Sequence, residues 1–208
     1  MRSLIQSTMS ELGFIVLASL SSTSSSTEMA FEAIEPNGDL TIVCKETSFL
    51  VSSYILSLAS PVFKAMLSGG FKEGLAIQNT RPGDTAEINL PEDNADAFRI
   101  FADLSHHRYD SIPDQPDLDT LEALAVVVDK YECIPLVKHQ ATAWLNHGLS
   151  NRSSEELWRL LDFAFALNSQ ECVTKIAHIL VKERSDLIWR RGYAAEHLGM
   201  LPAQVIGW

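Results

Sequence analysis

The residues of this chain that could do chemistry are six histidines, three cysteines and one glycine pair. His106, His107, His139, His147, His178 and His197 are scattered, and none sits in an H-E-x-x-H or comparable zinc-binding pattern. His139 and His147 fall on one expected helix and share a face, but no third ligand accompanies them at helical spacing. Cys44, Cys133 and Cys172 are an odd number, far apart and without a C-x-x-C pair, so neither a disulfide framework nor a structural zinc site follows. Their apolar neighbours read as burial of free thiols in a reducing compartment. Cys133 has Lys130 near it, yet Ile134 and Pro135 point to an enclosed thiol, whose pKa rises and whose reactivity falls. Gly69-Gly70 follows a helix, where it serves as a C-cap; a phosphate loop needs a strand-to-helix setting. Phe163 and Phe165 with Ala164 and Ala166 form an aromatic stripe of the kind that fills cores, with a binding groove as the alternative. The expectation is therefore no catalytic residue, no cofactor and no metal, with an unrecognised enzyme as the alternative of another class.

The bulk properties favour a folded interaction partner. Hydrophobic residues make up 46% and charged ones 21% of 208 residues, a balance that builds a core. That length holds one ordinary domain plus an appendage, or two small domains. With 16 Lys and Arg against 27 Asp and Glu the net charge is -11, which repels phosphate backbones and anionic lipid. Neither nucleic acid nor membrane is an expected partner. The apolar stretch of residues 12–20 resembles a signal-peptide core, but Arg2 is the only positive charge before it, Glu11 abuts it and no clean cleavage site follows. It is also shorter than the about 20 residues that span a bilayer. The Ser/Thr run of residues 21–27 cannot bury enough apolar surface to order itself. Residues 1–30 are thus expected to be a disordered leader, and the protein cytoplasmic or nuclear rather than secreted.

Folding is expected to start near Phe31. Pro36, Asn37, Gly38 and Asp39 are turn formers, and the β-rich run Leu40–Cys44 is apolar at almost every position, as in a strand covered on both faces. Residues 49–51 pair with it across Lys45, Glu46 and Thr47. A helix over residues 52–59 gives way at Ser60-Pro61 to another, with Ser60 as cap and Pro61 at its first position. Val62, Phe63, Met66 and Leu67 form that helix's apolar face. A polar loop then leads to an alternating strand, residues 86–90. Asp93 or Asn94 caps the next helix, whose Ala97, Phe98, Phe101 and Leu104 share a face and whose end carries His106-His107, placed to favour the negative pole of the dipole. Beyond the Pro- and Asp-rich residues 110–117, Leu121, Leu124, Ala125 and Val128 mark a helix. Pro135 opens one running towards Trp144, Leu145 and Gly148. Ser153 to Glu156 is a capping box opening another through Leu157, Leu160, Leu161 and Ala164. Ser169 caps the last, with Cys172, Ile176, Ile179 and Leu180 inward. The order is an α+β pattern with a small sheet confined to the first half.

Gly38-Asp39-Leu40-Thr41-Ile42-Val43, residues 49–56, the block Ser60-Pro61-Val62-Phe63-Lys64-Ala65-Met66-Leu67, Gly70-Phe71-Lys72-Glu73, Ile88 to Pro91 and Ala97-Phe98 occur in the order and spacing of a known family. From residue 36 to about 148 the chain resembles the BTB/POZ domain. It is most similar to the stand-alone members of filamentous fungi, which share the stretches around His106 to Tyr109 and Asp129 to Tyr131. One departure is Ser52, where many animal members have a histidine. The resemblance implies a homodimerising fold, a small sheet flanked by a cluster of helices, that serves as an adaptor in cullin-type ubiquitin ligases or in transcriptional regulators. The domain is expected over residues 31–149, with residues 150–208 as a helical extension and tail, the extension resting on the Ser153 capping box and the apolar helix faces that follow it. The resemblance also implies that Phe71 and Glu73, an apolar residue and a glutamate two positions apart just beyond a helix, contact a cullin scaffold, an ordinary exposed loop being the alternative. A scaffolding or transcription-linked dimer without a ubiquitin role is the alternative function. The recruited partner is not named by these residues.

Overall fold

The computed structural model describes residues 30–190 apart from Pro82, with side chains placed up to Lys182. The expected leader, save Ala30, and the expected tail after Arg190 lie outside the described residues. The described chain is α+β: four short strands in one sheet, and eight α-helices. Strands β2 (Leu40–Cys44) and β3 (Thr47–Val51) form the hairpin, with Lys45 at a left-handed φ of 53° in the turn. The hairpin turn is tighter than the sequence implies, because Thr47 already pairs with Cys44.

Two further strands flank the hairpin in parallel. Strand β4 (Ala86–Asn89) adds beside β2, and the chain reaches it through a helical crossover, the connection that parallel pairing requires. Strand β1 (Ala30–Ala33) pairs with β3. No strand is expected there from sequence, since four residues with a mostly exposed pattern carry no period signal. What holds it is tertiary: Glu32 bonds Arg99 at 2.6 Å, the Arg108 guanidinium reaches the Ala33 carbonyl, and the following Ile34 is buried.

The helices form because each carries a local start signal and an apolar face. Helix α1 (Ser53–Ala59) is capped by the Ser52 hydroxyl, and α2 (Pro61–Leu67) by the Ser60 hydroxyl with Pro61 in its first turn. The expected polar loop after Gly70 is instead helix α3 (Lys72–Asn79), which packs on α2. Helix α4 (Ala95–Ser105) is capped by Asn94, which settles the choice against Asp93. It is the central helix, buried from Ala97 to Ser105 except for Arg99. It packs on β3, α1, α5 (Leu118–Lys130) and α6 (Ile134–Asn146). His147 lies just past α6, so His139 and His147 do not share one helix. Helix α7 (Ser154–Ala166) has both halves of its capping box, and α8 (Gln170–Arg190) follows.

One continuous core joins all of this. Phe49, Phe63, Phe98, Phe101 and Tyr131 form an aromatic cluster between sheet and helices, with Phe63 and Tyr131 stacked at 4.4 Å between centroids. The same core runs on through Leu157, Leu160, Phe163, Cys172 and Ile176, because α7 packs on α5 and α8 packs on α6 and α7. Phe163 is thus core, while Phe165 is partly buried against it.

Candidate protein-interaction groove

A concave surface lined by the sequence-derived candidates lies between α2, the start of α3 and the end of α5. Its floor is the outer face of α2: Pro61, Val62, Ala65 and Met66. Phe71 and Glu73 form one wall and Glu132 the other. The sequence places Phe71 and Glu73 together; Glu132 comes from a distant part of the chain and carries no signal that predicts it. Its left-handed φ of 51°, directly after Tyr131 ends α5, sets it there.

The floor is held rigidly from beneath. Ser60 is fully buried; its hydroxyl accepts the Phe63 N–H at 3.1 Å and donates to the Tyr131 carbonyl at 2.6 Å. The Tyr131 hydroxyl donates to buried Asp93, which also takes Lys130 Nζ at 2.6 Å. Asp93 therefore serves as an anchor for the end of α5 rather than as a helix cap. Burial pushes the Tyr131 phenol far above its usual range, so it stays a donor.

The wall is shaped by two glycines. Gly69, at φ +91°, ends α2 in the left-handed region that suits glycine, as the sequence implies. Gly74 then packs so closely on it that a Cβ at Gly74 would lie 2.2 Å from the Gly69 backbone nitrogen. This approach folds α3 back on α2 and presents its first turn beside Val62 and Met66. Phe71 is the N-cap of α3, makes no side-chain capping bond and is 58% exposed. Ser, Thr, Asp or Asn there would stabilise the helix start by about 1 kcal/mol over a non-capping residue. Glu73 in the first turn favours the helix dipole, and its partial exposure leaves it open to a partner as well.

Other candidates fall elsewhere. Cys44, Cys133 and Cys172 are free and buried, as their neighbours imply. Burial pushes the Cys44 and Cys133 thiols up to about 12, so neither is a nucleophile at neutral pH. His106 caps the end of α4, where burial lowers its pKa and favours the neutral ring over a cation against the dipole. His107 is exposed beside Tyr109. Among the described residues no cluster of His, Cys, Asp and Glu is set to hold a metal, and no helix is long and apolar enough to cross a membrane.

A search of curated proteins finds no match. The family profile of the BTB/POZ domain matches residues 31–148, more than half of the chain, and spans the sheet, the crossover and the helices through α6. With that match, and with the α+β architecture just described, the chain belongs to the BTB/POZ domain family, whose members are protein–protein interaction modules and not typically enzymes.

Proposed function

We propose that this protein is a homodimerising adaptor of the cytoplasm or nucleus, similar to the stand-alone fungal members, that takes a cullin-type ubiquitin-ligase scaffold in the α2–α3 groove. Residues 31–149 act as the interaction domain and residues 150–208 as its helical extension. The observation that carries the reading is the placement of Phe71 and Glu73 on one wall of a groove whose floor is apolar. Phe71 is the anchor, and Glu73 with Glu132 supplies an acidic rim that favours a scaffold presenting basic side chains. Dimerisation is supported by a different surface. Tyr54 and Leu58, one turn apart on α1, are each 71% exposed, and Phe31 on the edge strand β1 is 64% exposed. Apolar side chains and an open strand edge of this kind are what a second copy would cover. A standard interface of about 1,200–2,000 Å² in total would suffice.

The test is a titration of wild type and Phe71→Ala against a cullin amino-terminal region, with sedimentation of each. Wild type should bind and sediment as a dimer. Phe71→Ala should lose roughly 30-fold in affinity, the equivalent of about 2 kcal/mol for an anchoring aromatic, and remain dimeric. Equal binding by the variant, or no binding by wild type at tens of micromolar, would leave a scaffolding or transcription-linked dimer as the reading; a monomer would remove the dimer.

A further inference from the structure

The corner where β3 passes into α1 is tied by a histidine from a distant element. His106, at the end of α4, accepts the Ser52 backbone N–H on Nε2 at 3.0 Å, while its Nδ1 contacts the Ala102 carbonyl at 2.8 Å. A backbone N–H can only donate, so Nε2 carries the lone pair and the single ring proton sits on Nδ1, donated to that carbonyl. Both nitrogens are committed to the neutral imidazole. Ser52 in turn starts α1: its hydroxyl accepts the Ile55 N–H at 3.4 Å and its carbonyl the Leu56 N–H at 3.0 Å. The next residue, Ser53, is held by the Asp39 carboxylate through its N–H at 2.7 Å and its hydroxyl at 2.5 Å.

We propose that His106 is an acid-operated latch on the β3–α1 corner: a proton added at Nε2 removes the acceptor of the Ser52 N–H, sets two donors face to face and frees the start of α1. The groups around the ring divide. Glu35, from the turn before β2, favours the cation; Arg108 and His107, next to His106 in the chain, oppose it. Burial opposes it most and lowers the His106 pKa, so the latch is closed at neutral pH and opens on acidification below the ordinary histidine range. Asp39 still grips Ser53, so opening is local to the first residues of the corner. Contacts made through Tyr54 and Leu58 then become acid-sensitive, a consequence that rests on the outer face of α1 being an interface, whereas the latch itself does not.

The experiment is ring ¹⁵N spectroscopy and amide exchange on the full chain. At about pH 7.5 His106 should show the Nδ1–H tautomer. The Ser52 amide, corrected for intrinsic exchange, should lose protection about tenfold for each pH unit below about 6.5 until His106 itself titrates. His106→Gln, whose side-chain oxygen can replace Nε2 as a non-titrating acceptor, should flatten that dependence. An Nε2–H tautomer at about pH 7.5, or a Ser52 amide indifferent to the His106 titration, overturns the proposal, and both are read on wild type without any variant.

Discussion

The hydroxyl of Ser60 donates to the backbone carbonyl of Tyr131 at 2.6 Å, joining the start of α2 to the end of α5 across 71 positions of chain. Because the same hydroxyl caps α2, one buried oxygen serves both a local and a long-range function.

Ser60→Ala removes both bonds at once and leaves the Tyr131 carbonyl short of a partner in the core. A lost cap costs about 1 kcal/mol and an unsatisfied buried acceptor about 1–3 kcal/mol, so a fall of roughly 2–4 kcal/mol is expected. Urea unfolding followed by circular dichroism measures it. A change below 1 kcal/mol would mean that the carbonyl finds another partner.

Gly74→Ala tests the close approach of α3 to α2. On an open helix alanine would stabilise by about 1 kcal/mol, but here the added carbon meets the Gly69 backbone, which has no side chain to swing aside. Overpacking costs of about 1–3 kcal/mol should win. The variant is expected to melt at a lower temperature and to shift the amide resonances of Phe71 and Glu73. A higher melting temperature would show that α3 is free to move away from α2.

Thiol labelling tests the burial of the core cysteines. With the Cys44 and Cys133 thiols pushed up to about 12, only about one in ten thousand is thiolate at pH 8. Native protein should leave both unmodified by iodoacetamide over minutes, while denaturant should expose all three cysteines. Rapid native labelling of either residue would place it at the surface.

Two carboxylates at helix starts are expected to contribute to the acid limb of stability. Asp117 caps α5 by accepting the Thr120 N–H at 2.7 Å, and Glu156 accepts the Ser153 N–H at 2.7 Å in the α7 capping box. Those backbone bonds hold both carboxyls below their ordinary values of 3.8 and 4.5. A depressed acid binds fewer protons folded than unfolded, so its stabilisation is complete above the unfolded value and is lost as pH falls through the folded one. Asp117→Asn keeps a capping oxygen without a titrating proton. Its stability between pH 6 and pH 3 should decline less steeply than that of wild type; parallel declines would assign the acid sensitivity to other groups.

The hairpin, the Ser60-Pro61 helix start and the Ser153 capping box were legible in the chain because each depends on neighbours within a few positions; the cap of α4 was legible only as Asp93 or Asn94. Local patterns also carried the α+β class and the enclosed cysteines, whereas Phe71 and Glu73 were singled out only by the family resemblance. Strand β1 and helix α3 were not legible. Ala30–Ala33 is a strand only because β3 offers it an edge and Arg99 and Arg108 hold it there, and Lys72–Asn79 has no side-chain cap, so its position rests on the contact between Gly69 and Gly74. Glu132 joins the groove, and His106 reaches Ser52, through packing between residues far apart in sequence. Periodicity and capping report bonds that a segment makes with itself; which surfaces meet is decided when the aromatic core around Phe63 and Tyr131 closes, and the groove and the latch both come into being at that step.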